Sequence, residues 1–209
     1  MSTLETVSGK FIDVNNIDPS LIDISDIAWS LSRINRCNGH TIPLIPFNVA
    51  QHSLFVYKII LRWVEEGSFV YWESDRLSVD FFKTLYLKAL LHDAAEYLIG
   101  DIPTPIKHSV GIYEPIKMME DNIDFAIEVK YNISFDDVTA NPEHYYKQIK
   151  KADLYSRKIE AYHFMNSRGK DWLDMPDVSL VEIQSFEEAK TSLESYEEFM
   201  KTFFTIYGE

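Results

Sequence analysis

Ile24, Ile27, Ala28, Leu31 and Ile34 recur every three or four positions, the spacing of one face of an α-helix. Asp23 and Ser25 stand in front of them as N-cap side chains, and Asn38-Gly39 is a helix C-terminal signal. A first helix is therefore expected from about residue 23 to about residue 38. Residues 40–46 hold two prolines and read as a loop. Val49, Val56, Ile59, Ile60 and Trp63 share the apolar face of a second helix, predicted over 47–63, and His52 falls on that face. Residues 65–78 form a longer connection whose Phe69, Tyr71 and Trp72 fold over the core. A third helix is predicted over 79–98 and contains YLKALLHDAAEYL; Gly100 and Pro103 break it. Further helices are expected at 113–131, 143–167 and 186–206. No alternating strand pattern of useful length occurs, and residues 1–22 read as an extended lead-in. The fold class is all-α: one domain over 1–209, with an acidic helical extension at about 171–209.

Composition narrows the classes. With 209 residues and 46% hydrophobic positions, the chain can bury a core without disulfides. One cysteine excludes an internal disulfide framework and fits a reducing, cytoplasmic setting. The N-terminal segment lacks a basic region followed by an apolar run, so no signal peptide is expected, and no stretch is long enough to span a membrane. Lys+Arg number 20 against 33 Asp+Glu, a net charge of −13. That balance disfavours nucleic-acid polymers and anionic membranes as partners. The charge is uneven: residues 171–209 hold ten acids and two lysines, leaving −5 on the first 170 residues. Chemistry on phosphates belongs in that first part.

His92-Asp93 lies among Ala89, Leu90, Leu91, Ala94 and Ala95. A His and a carboxylate on so apolar a stretch need a partner or a metal. A satisfied core His–Asp pair is the plain alternative. His52 on the preceding inward face and Asp153 beside Ala152 and Leu154 add a second imidazole and a second carboxylate. Two of each can hold one divalent metal with positions open for water and substrate. Glu96 follows His92 by four residues, on the same helical face, within reach of the proton of a bound water. In HDAAEYLIGDIPTPIK, Gly100 ends the helix, Asp101 follows at the turn, and Pro103 and Pro105 stiffen an extended stub ending in Lys107. A solvated Lys on an ordinary proline turn is the alternative there.

The pattern His52…His92-Asp93…Asp153 resembles the HD-domain metal-dependent phosphohydrolases. The long segment HDAAEYLIGDIPTPIK, with LSRINR and NVAQHS, resembles the 5′-deoxynucleotidase group of bacterial and phage HD proteins, and is also similar to phage dATP triphosphohydrolases. The opening SGKFIDVNNID…IDISDIAWSLSRI and the GHT before His52 resemble prophage-encoded members; the likeness covers about residues 8–165 and implies that this span is the catalytic core. It implies an HD fold with one divalent metal per subunit (Co, Mn, Zn or Mg) on His52, His92, Asp93 and Asp153. It further implies Glu96 and Asp101 as catalytic carboxylates and Arg36 and Lys107 as phosphate contacts. Cys37 stands where the family usually has an aromatic residue framing the nucleoside, and is grouped with the substrate-binding positions.

The expected substrate is a small deoxynucleotide, cut at the α-phosphate to a nucleoside plus phosphate or triphosphate. The expected assembly is a homo-oligomer. Two other readings stay open. A two-metal HD phosphodiesterase would draw on His108, His144 or His163, and a non-catalytic nucleotide-binding protein would need a broken ligand set. Cys37 lacks the partner expected of a thiol nucleophile, although His40 is near, and Arg157 either shares the site's mouth or pairs with Glu160. No GxxxxGK loop occurs, which excludes P-loop ATP hydrolysis.

Overall fold

A computed structural model describes residues 3–73, 77–109, 111–170, 172, 175–179, 186 and 188–208. The lead-in is a hairpin. β1 (Thr3–Glu5) pairs antiparallel with β2 (Phe11–Asp13), Leu4 opposite Ile12. Three residues per strand are too few for an alternating pattern to show in the sequence. The hairpin is pinned where Ser8 Oγ donates to Asp26 (2.7 Å) and Lys10 meets Asp23 (2.8 Å).

Helix α1 (Ile24–Leu31) starts where Asp23 accepts from Ser25 N–H. It stops seven residues short of Asn38, although the apolar spacing continues to Ile34. A tertiary pairing takes over: Asn35 bridges to Asn48, Arg36 N–H donates to the Phe47 carbonyl (2.9 Å), and Val49 N–H donates to the Ile34 carbonyl (3.0 Å). Asn38-Gly39 instead closes a tight turn, Arg36–Gly39, with Cys37 at φ 55° and Asn38 at φ 52°.

α2 (Val49–Glu65) begins at Asn48, whose side chain accepts from Gln51 N–H. Phe69 is buried and Tyr71 packs on the core, as expected of the connection, while Trp72 stays more exposed against His144. The predicted third helix is two: α3 (Val79–Leu90) and α4 (Glu96–Ile99). Between them the chain tightens into turns, with Ala94 N–H donating to the Leu91 carbonyl and Glu96 N–H to the Asp93 carbonyl. Gly100 ends α4 at φ 80°, a conformation open to glycine. The proline stub is not extended but a single helical turn, α5 (Thr104–Lys107), with Pro105 in its first turn. α6 (Tyr113–Tyr131) and α7 (Pro142–Phe164) follow. α8 (Ser192–Tyr207) starts later than the predicted 186 because Thr191 and Glu194 form a reciprocal capping box.

Two apolar clusters share α2. One joins Ile27, Leu31, Val49, Leu90, Ile127, Phe199 and Phe203. The other joins Val56, Ile60, Phe81, Leu85, Tyr145 and Ala152. Phe199 and Phe203 are buried, so α8 is a wall of the core. Its polar anchors are specific. Asn48 Nδ2 donates to Ser195 Oγ (2.9 Å), and the Gln51 side chain donates to the Glu188 carbonyl (2.7 Å) and accepts from Lys190 N–H (2.9 Å). Eight helices and one small hairpin among the described residues make the fold all-α. None of the described helices is long and apolar enough to cross a membrane.

Candidate metal and substrate site

His52 enters from the first turn of α2 with 0% exposure. Its Nδ1 donates to Glu160 Oε1 on α7 (2.6 Å) and lies 3.4 Å from Ser156 Oγ. His92 sits just past the end of α3, where its Nδ1 donates to the Ala89 carbonyl (3.0 Å). Both imidazoles thereby turn Nε2 inward, the two atoms 3.2 Å apart. Asp93 Oδ2 is 3.3 Å from His52 Nε2 and 3.4 Å from His92 Nε2; Asp153 Oδ1 is 3.3 Å from His52 Nε2. Ligand atoms of His52, His92 and Asp153 fall within 4.8 Å of one another.

This donor set fits a divalent cation. Each imidazole has its outer nitrogen bonded to an oxygen, the arrangement that orients a metal-binding His. The inner nitrogens face each other and two carboxylates with little else to bond. The electrostatics agree. Burial and the Arg36 charge oppose protonation of His52, yet Glu160, Asp153 and Asp93 hold its pKa well above the ordinary value. Against burial, His92 and His52 hold Asp93 well below the usual carboxylate range, and His52 does the same for Asp153. The carboxylates of Asp93, Asp153 and Glu160 thus gather negative charge around the inward imidazoles, a field that favours a cation.

Arg36 stands on the Arg36–Gly39 turn, not at a helix end. Its guanidinium lies 3.5 Å from Asp93, 3.9 Å from Asp101 and 4.0 Å from Glu160, and its buried Nε has no partner among the described residues. Asp101 Oδ2 also accepts from Cys37 N–H (3.2 Å), tying the two turns together. Glu96 is 5% exposed and begins α4. It faces the site from a new helix, not from one turn further along the helix of His92. Burial, with the charges of Asp93 and Asp101, pushes its carboxyl well above the ordinary range, and its Oε2 has no partner among the described residues. Lys107 Nζ is paired with Glu120 of α6 (2.6 Å). Burial pushes the Cys37 thiol up.

Asp93, Asp153 and Glu160 line one cavity of about 780 Å³ together with Arg36, Glu96, Asp101 and Lys107, while His52 and His92 stand behind its wall. Arg36, Lys107, Lys150 and Arg157 give its cationic lining, and Phe164, Met165, Trp172 and Met175 part of its apolar lining. Sequence reasoning did not single out Glu160, Ser156 or Lys150 as site residues. Lys150 donates to Asp153 Oδ2 (2.6 Å). All three sit within two helical turns of Asp153, so spacing of three and seven residues was the available signal. Glu160 bonds His52 and Arg36, so the pairing considered for Arg157 does not take it up. The Lys107–Glu120 pair joins separate helices and has no local signature. Of the remaining histidines, His144 Nε2 bonds the Val70 carbonyl (2.8 Å), His108 stacks on Tyr113 and His163 lies against Phe186. None of the three belongs to the His52–His92–Asp153 group.

An all-helical bundle with two imidazoles and two carboxylates converging beside a buried arginine defines an HD-domain hydrolase. The family model of 5′-deoxynucleotidases termed YfbR-like matches residues 26–207, and the chain belongs to that family. The match runs to the end of α8, beyond the 8–165 over which the motifs carry the likeness. Two relatives are similar. An uncharacterized protein of Rhodobacter capsulatus is 31% identical over 155 residues, covering 74% of this chain and 69% of the relative. The uncharacterized protein YfdR of Escherichia coli is 31% identical over 172 residues, covering 82% and 78%.

Proposed function

We propose that this protein is a cytoplasmic, metal-dependent 5′-deoxynucleotidase that cleaves the phosphoester at the α-phosphate of a deoxynucleoside monophosphate. The observation that carries the reading is the Arg36 guanidinium 3.5 Å from Asp93, in the cavity that Asp93 and Asp153 also line. A phosphoryl group needs such a planar cation directly beside a Lewis acid. When bound by His52, His92, Asp93 and Asp153, a divalent metal supplies Lewis acidity toward the phosphoryl oxygens and makes a nearby water easier to deprotonate.

The chain's own groups do the rest. Glu96 is buried in the cavity wall with its Oε2 unpartnered among the described residues; it takes the proton of the attacking water and returns it to the leaving O5′. Arg36 matches the charge that grows on the phosphoryl oxygens. Asp101 keeps its charge engaged with Arg36 and Cys37 N–H and fixes the guanidinium in place. Lys107 meets the outer phosphate oxygens, exchanging Glu120 for substrate. Free nucleotides, not polymers, are the partners.

A triphosphate reading has one supporting observation. Lys150, beside Asp153, and Arg157 add two cations to the cavity lining. Attack at the same phosphorus would then release intact triphosphate. Chromatography of reactions with dAMP and dATP, run with Mn²⁺, Co²⁺ and Mg²⁺, tests both. Deoxyadenosine plus phosphate is expected from dAMP. Accumulation of dADP or dAMP from dATP would place the attack at another phosphorus, and no deoxyadenosine from either substrate would remove the proposal.

A further inference from the structure

We infer that Trp172 is the base-recognition residue of this cavity, its indole face taking the nucleobase, purines ahead of pyrimidines. The inference rests on the deoxynucleotide reading above and adds to it the residue that senses the base.

Position 37, next to the phosphate-facing Arg36, offers no ring. Cys37 is half-buried at φ 55° with its N–H given to Asp101. Two phenyl rings line the cavity, Phe47 and Phe164, but they stack on each other at 4.6 Å and are 1% and 5% exposed. Their faces are used in the core. Trp172 also lines the cavity, is half-buried, and stacks on no other ring among the described residues. It is the largest π-face in the lining left for a ligand. Met165 and Met175 line the same space, and thioethers pack well against flat aromatic groups.

The position of Trp172 is set from the catalytic side. α7 ends at Phe164, and the chain reverses through Arg168 at φ 52° and Gly169 at φ 68°. Trp172 N–H donates to the Gly169 carbonyl (3.3 Å). A Cβ on Gly169 would stand 2.9 Å from Ala161 Cβ, so glycine permits both the turn and its close seat on α7. Ala161 lines the cavity, and its neighbour Glu160 bonds His52 and pairs with Arg36. The indole is thereby registered to the metal end through one short stretch of α7. A base stacked on an aromatic side chain is bound through its face, which every base has and purines have in larger area.

The test compares Trp172→Ala and Trp172→Phe on dAMP, dCMP and 2-deoxyribose 5-phosphate, which lacks a base. It adds calorimetric binding of dAMP to the same substitutions in a Glu96→Gln background. Trp172→Ala should raise KM for dAMP and weaken dAMP binding by about tenfold or more. The effect on dCMP should be smaller, KM for the base-free sugar phosphate should move less than about twofold, and Trp172→Phe should restore most of the dAMP affinity. Gly169→Ala should shift KM in the same direction. An unchanged dAMP affinity in Trp172→Ala, or an equal loss on the base-free substrate, overturns the inference. Failure of the functional reading is distinct: the unsubstituted protein would then cleave none of the three substrates, and calorimetry would still show whether a base binds at Trp172.

Discussion

His52, Asp153 and Glu160 stand on two long helices, α2 and α7, that cross through the core. Arg36, Cys37, Asp101, Lys107 and Trp172 stand on turns or one-turn helices around the same cavity. The first region is fixed by burial: its side chains are held by packing on both sides of α2, and its charges are engaged with one another. The second is fixed by a few named contacts, such as Asp101 with Cys37 N–H and Gly169 on Ala161. The contrast teaches a division of labour. Groups on long helices are placed by the core itself, whereas groups on turns depend on a few local contacts and are freer to vary.

The sharpest way to break this comparison is Glu96→Gln, at the joint between the two regions. kcat should fall about 10²–10⁴-fold, the size of a general acid–base contribution, with metal content unchanged by elemental analysis. Near-normal kcat would move water activation elsewhere. Next comes Glu160→Gln. Losing the charge that orients His52 should weaken metal affinity about 10–100-fold, read by competition with a chromophoric chelator; unchanged affinity would make Glu160 a partner of Arg36 alone. On the loop side, Lys107→Ala should raise KM about tenfold, the scale of one charged hydrogen bond, with a smaller change in kcat. A pure kcat effect would place Lys107 with the helix-borne chemistry.

The smallest effect sharpens the helix side. Asp124 of α6 lines a second cavity of about 220 Å³ that also touches His92 and Asp93. Burial pushes its carboxyl up to about 7; Lys88 opposes that shift, and Asp93 adds to it. The folded chain therefore keeps this proton between the ordinary carboxylate value of 3.8 and about 7, while the unfolded chain loses it. Stability falls as pH rises through that window, and the full cost is present above it. Asp124→Asn should raise the melting temperature at pH 8 by about 2–4 °C, the scale of one kcal/mol in a chain of this size, and change little at pH 4. An equal shift at both pH values would assign the effect to packing.

The sequence carried the His and Asp cluster well, although His92 and Asp93 lie in the turns after α3 and not on a helix. Imidazoles and carboxylates in apolar surroundings are costly, so His52, His92, Asp93 and Asp153 stand out in the sequence. Glu160 did not, because a glutamate on an amphipathic helix is ordinary surface until its partner is known. The helix ends after Leu31 and Leu90 were hidden for a related reason. Apolar spacing continues through both, and what stops α1 is pairing of residues 34–36 with 47–49, a tertiary contact. The Asp101–Lys107 segment was legible as a turn because its Gly and prolines act locally, but the Glu120 partner of Lys107 was not.

The clasp of Gln51 on Glu188 and Lys190 joins positions up to 139 residues apart. Ribosomes add residues in order, at about 5–20 per second. A newborn chain therefore carries the helix of His52 for roughly 7–30 seconds before α8 exists to cover it. During that interval the apolar face of α2 has one of its two walls missing, and His52 waits on a helix whose first turn is unclamped. Nascent molecules of this enzyme are accordingly at their most chaperone-dependent just before synthesis of α8, and loss of α8 should read out in living cells as degradation before it reads out as lost turnover.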